Sequence, residues 1–442
     1  MINRVVSLIM LFLVNNLVII CSIDRIRVYA RIILIILLSV YYISFNIVPY
    51  KEKGIPKRLR IMKSGYVILS NVAILTVLQL LLYIAISVLN INIGNGVAIG
   101  NIILAVLLII ILAINGTLRI FFTSTQLGVI RRAVFIFCWW IPIVNILLIH
   151  NIYSTAKAEY RIEKDRHLLD EGRKECEVCS TRYPVLMVHG VFFRDTRYFN
   201  YWGRIPKELK KNGAEVYYGS QQSALTVSDS ASELKSRIIE IVNETNCGKV
   251  NIIAHSKGGL DARYAISCLG MDGYVASLTT INTPHRGCSY VDFLLAKLPK
   301  GFIGFVAGKY NSTLRKLGEK SPDFLGAVKD LTVKRCSEIN KAAENKPGVL
   351  YQSITSKMNS MRGAAFPLNL SYMLAKKFEG DNDGLVSVES AKWGNFLGLI
   401  EPEKERGISH GDVIDLNREN IKGFDICELY VNILKKLRDN NL

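Results

Sequence analysis

Lys249-Val250-Asn251-Ile252-Ile253-Ala254-His255-Ser256-Lys257-Gly258-Gly259 is an apolar, β-branched run that meets a serine set among small residues and then passes into helix-like sequence. Ala254-x-Ser256-x-Gly258 is a variant of the G-x-S-x-G turn between a strand and a helix. That turn is tight, so its flanking positions must be small, and it pushes the serine oxygen out over the sheet edge. Five residues are a weak signal alone, because a serine near glycine at a strand end is often only a helix cap. The partners of Ser256 therefore decide the reading.

A second short apolar run, Pro184 to Val188, is followed by His189-Gly190, and helix-like stretches cover 205–212 and 229–243. Strands alternating with helices predict an α/β domain with a mostly parallel sheet covered on both faces. A serine hydroxyl needs a base, and the chain has six histidines. His150 and His167 lie toward the N-terminal half, and His189 and His255 adjoin their own loops. In a strand-ordered hydrolase the base follows the serine and then the acid. His285, in Asn282-Thr283-Pro284-His285-Arg286-Gly287, leaves little chain for an acid before it, so His410 in Ile408-Ser409-His410-Gly411-Asp412 is the expected base. The expected acid is Asp383 in Asp381-Asn382-Asp383-Gly384, with Asp381 as its rival; either could instead be an Asx-turn residue. Two backbone N–H groups, of Lys257 and Val191, are placed to form an oxyanion hole. The Lys257 side chain is expected to be solvated.

The N-terminal part reads differently. Half of the 442 residues are apolar, and residues 1–155 carry 13 Lys or Arg against 2 Asp or Glu, which is +11 of the net +18. Basicity placed between apolar segments signals topology rather than nucleic-acid binding. The apolar stretches are Val5–Ile20, Ile32–Val48, Tyr66–Leu89, Val97–Ile114 and Ala133–Ile149, each near the length of a membrane span. The first is short, with Asn15 and Asn16 near its centre, and reads as a span or a signal-like region. Cys21 follows Ile20 rather than the small residue of a lipoprotein cleavage site. The basic loop Lys51 to Lys63 is expected inside, and three further spans would then place the following domain outside. Trp139 and Trp140 are candidate interface aromatics. Tyr153 to Glu177 reads as a solvated charged helix, giving domains of 1–155 (transmembrane), 156–182 (linker) and 183–442. The nine cysteines show one close pair, Cys176-x-x-Cys179, open to a redox, half-zinc, disulfide or inert reading.

Val188-His189-Gly190-Val191, Tyr201 to Pro206 with Gly213 to Tyr217, Val250 to Gly259, Thr283 to Gly287, Asn382 to Val386 and His410 to Asp412 together resemble the bacterial true lipases, over residues 183 to about 420. The resemblance implies an α/β-hydrolase fold, a triad on Ser256, Asp383 and His410, and hydrolysis of acylglycerols at a lipid surface beneath a helical lid. The amphipathic segment 291–336 is the expected lid, or else ordinary surface helices. The calcium site of the secreted relatives is matched only at Asp412. No upstream Asp is in place, and Leu416 stands where an amide is expected, so no cofactor is expected. The expectation is a multi-pass membrane esterase with its catalytic domain outside the cell. A phospholipid or glycolipid deacylase or acyltransferase is the alternative, and a non-catalytic hydrolase-fold protein a further one. Nothing in the sequence sets an oligomeric state.

Overall fold

A computed structural model describes residues 2–23, 26–191, 200–402 and 406–442. The chain divides into two compact units, Met1–Glu171 and Gly172–Leu442, and the boundary falls inside the expected linker.

The first unit is helical: α1 (Ile2–Asn15), α2 (Leu17–Cys21), α3 (Val28–Ile47), α4 (Lys57–Val88), α5 (Asn95–Thr123), α6 (Val129–Cys138) and α7 (Val144–Arg173), the last running just past the boundary. Three of these, α3, α4 and α5, are long and apolar enough to cross a membrane. Their burial pattern is inverted relative to a protein in water. Ile36, Val40, Leu80, Leu81, Ile103 and Ile110 point outward, while Asn16, Asn71, Gln79, Asn101 and Thr117 are buried. An outward face of large aliphatics fits lipid, and small or polar residues then bind the helices together. Gly65 of α4 and Gly116 of α5 make the closest approach: a Cβ on Gly65 would lie 2.9 Å from the Gly116 carbonyl oxygen. Asn16 exchanges side-chain hydrogen bonds with Gln79, at 2.8 and 3.1 Å, and accepts another from Asn101 at 3.0 Å.

Two expectations change here. The stretch Ala133–Ile149 is not one span. It is broken between α6 and α7 at residues 139–143, where Pro142 lacks the N–H a continuing helix would use. Among the described residues, the helices from the basic loop onward that are long and apolar enough to cross a membrane are α4 and α5, where the sequence suggests three spans. The segment after Tyr153 is also not a freely solvated helix. Glu159 and Tyr160 of α7 are buried against the N-terminal helices.

The second unit is built on six parallel strands in the order β2-β1-β3-β4-β5-β6. Along the chain come β1 (Val185–Val188), α8 (Ile205–Lys211), β2 (Val216–Tyr218), α9 (Val227–Thr245), β3 (Val250–His255), α10 (Lys257–Cys268) and β4 (Val275–Ile281). Four helices follow, α11 (Ser289–Lys297), α12 (Lys300–Lys316), α13 (Phe324–Lys329) and α14 (Val333–Ala342), before β5 (Leu350–Ser356). Helices α15 (Leu368–Glu379) and α16 (Val388–Ala391), then β6 (Asn395–Ile400) and α17 (Ile426–Asp439), complete the unit. Strands β1, β3 and β4 are buried along their whole length; β1 is accordingly an unbroken apolar run, while β3 and β4 carry buried polar residues such as Asn251, Ser277 and Thr279 among their apolar ones. One core lies between the sheet and α8 and α17, the other between the sheet and α9 and α10. The order doubles back at β1, so the carboxyl ends of β1 and β3 open side by side, where a doubly wound sheet places its site.

Candidate active site

Ser256 joins β3 to α10 with φ 56° and ψ −134°, a left-handed conformation that a non-glycine residue adopts only when its surroundings impose it. The surroundings are crowded. A Cβ on Gly258 would lie 2.4 Å from the His189 carbonyl oxygen, and one on Gly190 would lie 2.8 Å from the Ser256 Cβ. The β1 loop and the serine turn are thus pressed together, and this close approach is what requires glycine at both positions. Ala254, at the position of the first glycine of the pattern, is fully buried, so its methyl group is tolerated.

The three residues expected to work together converge in part. His410 Nδ1 lies 2.6 Å from Asp383 Oδ2, and the His410 backbone N–H donates to the Asp383 carbonyl at 2.8 Å. Asp383 is fully buried. Its other oxygen, Oδ1, accepts from the N–H groups of Leu385 and Val386 at 2.8 and 2.7 Å. The rival, Asp381, points away, with an exposed side chain paired to Lys357 Nζ at 3.1 Å. On the serine side, the His255 ring lies 4.4 Å from the His410 ring, centroid to centroid. The base thus stands over the residue that precedes the nucleophile. Among the described residues no hydrogen bond joins the Ser256 hydroxyl to His410; such contacts commonly tighten only around substrate.

Tyr201 carries a role that its motif did not reveal. Its oxygen accepts from the Gly190 N–H at 3.1 Å and its hydroxyl meets His255 Nδ1 at 2.7 Å, tying the loop after β1 to the serine turn. Trp202 beside it is fully buried, edge-on to Tyr201 and Tyr430. Burial, together with the charge His410 carries when protonated, holds His255 well below the usual histidine range.

No protein-family model matches the chain. Over 174 residues it is 33% identical to the triacylglycerol lipase of Pseudarthrobacter phenanthrenivorans, covering 37% of this chain and 54% of that protein. It is likewise 33% identical over 174 residues to the triacylglycerol lipase of Burkholderia plantarii, covering 37% and 48%. The second unit has an α/β-hydrolase fold, and part of it is similar in sequence to these triacylglycerol lipases. The chain spans about half the length of these curated relatives. Among solved structures, the Staphylococcus hyicus lipase aligns with a TM-score of 0.46 at 18% identity, covering 59% of this chain and 97% of that one.

Within this unit the Lys257 side chain is not solvated. It is buried and binds Asp261 Oδ1 at 2.6 Å and Ser230 Oγ at 3.0 Å, so only its main chain faces the site. Burial raises the Asp261 carboxyl to about 7 despite the opposing pull of Lys257. The two N–H donors expected for an oxyanion, Val191 and Lys257, sit just after β1 and at the start of α10. His285 belongs to a separate buried cluster, with Nε2 3.0 Å from Thr280 Oγ1 and its ring stacked on Trp393. Burial drives it well below the usual histidine range, and it has no part beside the serine.

Asp412 does not offer a calcium site. Its Oδ2 accepts from Ser409 N and Oγ at 2.9 and 2.8 Å, and its Oδ1 is paired with Arg406 at 3.1 Å. A hard cation would have to displace a guanidinium. Among the described residues no cluster of three His, Cys, Asp or Glu side chains could hold a metal. Cys176 and Cys179 are free thiols, the first exposed and the second buried, and burial raises Cys179 to about 12.

Proposed function

We propose that this chain is a membrane-bound serine hydrolase of acylglycerols or other lipid esters. The observation that carries the reading is the 2.6 Å contact between His410 Nδ1 and the buried Asp383 carboxylate beside a strained serine turn. In that reading Ser256 Oγ attacks the ester carbonyl carbon while His410 Nε2 takes its proton. Asp383 keeps the imidazole in one tautomer and stabilises the imidazolium. The N–H groups of Val191 and Lys257 receive the oxyanion. Collapse of the tetrahedral intermediate expels the alcohol, which receives the proton from His410, and leaves an acyl group on Ser256. Water, deprotonated by His410, attacks that acyl-enzyme, releases the fatty acid and restores the serine. No step requires a metal ion.

The triacylglycerol lipase relatives and the surface of the second unit support a lipid substrate. Phe302 and Phe305 of α12, in the expected lid, and Phe366, Leu370 and Met373 at and along α15 are exposed. Such a face suits a helical cover that opens onto an acyl layer.

The test is labelling of the full chain in detergent with a fluorophosphonate, alongside hydrolysis of esters from p-nitrophenyl acetate to emulsified triolein. Labelling confined to Ser256, lost in Ser256→Ala together with hydrolysis, is expected. Absence of both labelling and hydrolysis across the panel would return the fold to a binding role. New ester formed from an added alcohol, in place of free acid, would make it an acyltransferase.

A further inference from the structure

The first unit contains a helical hairpin whose two ends meet at one place. Helix α6 begins at Val129, directly after Ser124, Thr125 and Gln126 at the end of α5. After the turn, α7 comes back to the same residues. The Glu159 carboxylate accepts from Ser124 Oγ at 2.5 Å, Thr125 N at 2.9 Å and Gln126 N at 3.2 Å, and pairs with Arg58 at 3.0 Å. Further along α7, Tyr160 and Lys164 bind Glu52, and His167 Nε2 bonds the Gly54 carbonyl at 2.7 Å. Burial opposes ionisation of Glu52, but its bonds from Lys164, Lys63 and Tyr160 override that and hold it down at about 2. The anchor is therefore ionic at neutral pH. Residues 52–58, 124–126 and 159–167 thus stand at one face of the helical unit, the face of the basic loop.

Between departure and return the chain cannot cross a bilayer. The 10 residues of α6 span about 15 Å, and the hydrocarbon is about 30 Å thick. The tip is built for hydrocarbon. Phe137, Trp139, Trp140, Ile143, Ile146 and Leu147 are exposed there. The polar groups near them close on one another: Trp140 Nε1 donates to the Phe137 carbonyl at 2.8 Å and Asn145 Nδ2 to the Trp139 carbonyl at 2.7 Å. Internal satisfaction of this kind is what lipid demands and water does not. Arg131 and Arg132 mark the base of the hairpin, where anionic headgroups lie.

We infer that residues 129–149 form a re-entrant hairpin seated in the leaflet next to the basic loop 51–63, so that the hydrolase unit stands on the cytoplasmic side. The hydrolase begins at Gly172, five residues after His167, and even fully extended those residues reach only about 18 Å. The loop at the other end of α4 and α5, residues 89–94, carries no charge, so the basic loop faces inward. A substrate presented on the cytoplasmic leaflet follows, independently of which ester is cleaved.

Two sites in the full chain test this: a specific protease sequence inserted between Asn92 and Ile93, and an epitope tag after Leu442. In sealed right-side-out vesicles added protease is expected to cut at 92 and to leave the tag protected, with the reverse in inside-out vesicles. Sites 92 and 442 on the same side would show that 129–149 crosses and overturn the hairpin. Opposite sides with 442 outside would overturn the orientation. Should the insertion prevent folding, fusion of green fluorescent protein or alkaline phosphatase to Leu442 of the unaltered chain reads the same placement: fluorescence supports it, phosphatase activity refutes it. Seating in lipid is read by tryptophan emission in vesicles of dibrominated phosphatidylcholine. Quenching that falls at least twofold in Trp139→Phe/Trp140→Phe is expected, and quenching unchanged by that substitution would place the tip in water. None of these readouts depends on hydrolysis.

Discussion

His255 and His410 lie with their rings 4.4 Å apart, yet only His410 is held by a carboxylate. His255 is fully buried, bonded to the Tyr201 hydroxyl, and kept neutral by burial and by its neighbour. Two adjacent imidazoles would compete for one proton if both were free to charge. The Asp383 contact sets His410 apart, and His255 stands as a neutral ring behind the serine turn.

Asp383→Asn should lower kcat for p-nitrophenyl butyrate by a factor on the order of 10³ to 10⁴, because an amide can hold the imidazole in the wrong tautomer. Asp381→Asn, which removes only an exposed pair with Lys357, should stay within twofold of the parent. Steady-state kinetics on both variants check this, and the reverse ranking would move the acid by two residues.

Gly258→Ala should reduce kcat/KM at least 100-fold while the protein still folds. The added methyl would sit 2.4 Å from the His189 carbonyl oxygen, a backbone atom that can yield only by moving the loop that presents Val191. Gly273→Ala, with nothing near its Cβ, is the control and should match the parent. Circular dichroism with the ester assay separates folding from chemistry.

Lys257→Met should destabilise the hydrolase unit by about 3–5 kcal/mol, since it leaves Asp261 buried without its partner. Pairing it with Asp261→Leu should recover most of that loss, because two apolar groups need no solvation. Thermal unfolding of the two variants against the parent gives the comparison.

Acid should destabilise the hydrolase through its buried histidines. His255 and His285 have folded pKa values well below 6.5, so above pH 6.5 both states are neutral and this contribution is intact. As pH falls from 6.5 toward the folded values the unfolded chain gains protons that the native state refuses, and stability drops by at most about 1.4 kcal/mol per pH unit for each histidine. Melting curves between pH 7 and 5 should show the fall, and a smaller one in His255→Gln. An unchanged slope in that variant would remove His255 from the account.

Phe302→Ser with Phe305→Ser should cut hydrolysis of emulsified triolein at least fivefold and leave p-nitrophenyl acetate within twofold. These rings are exposed on α12, where the proposed cover would meet a lipid layer rather than the reacting atoms. Parallel assays on the two substrates decide it, and equal losses on both would make α12 part of the serine pocket.

Local pattern was enough to identify the parallel sheet, the serine turn and the lipase resemblance, because each rests on short-range rules: β-branched runs for buried strands, small residues for a tight turn, and motifs in a fixed chain order. Ser256, His410 and Asp383 can be nominated from such rules alone. What needed the tertiary structure were choices between residues of the same type close in sequence, and distances between residues far apart. Asp383 and Asp381 are equal as letters; only the fold buries one against His410 and leaves the other on Lys357. Lys257 reads as a surface lysine until Asp261, one helical turn on, is buried beside it. The stretch 133–149 has the hydropathy of a span, and composition carries no record of where its ends lie. Glu159, reaching back to Ser124 and Arg58, decides that, because a path that returns to its own starting face has not crossed.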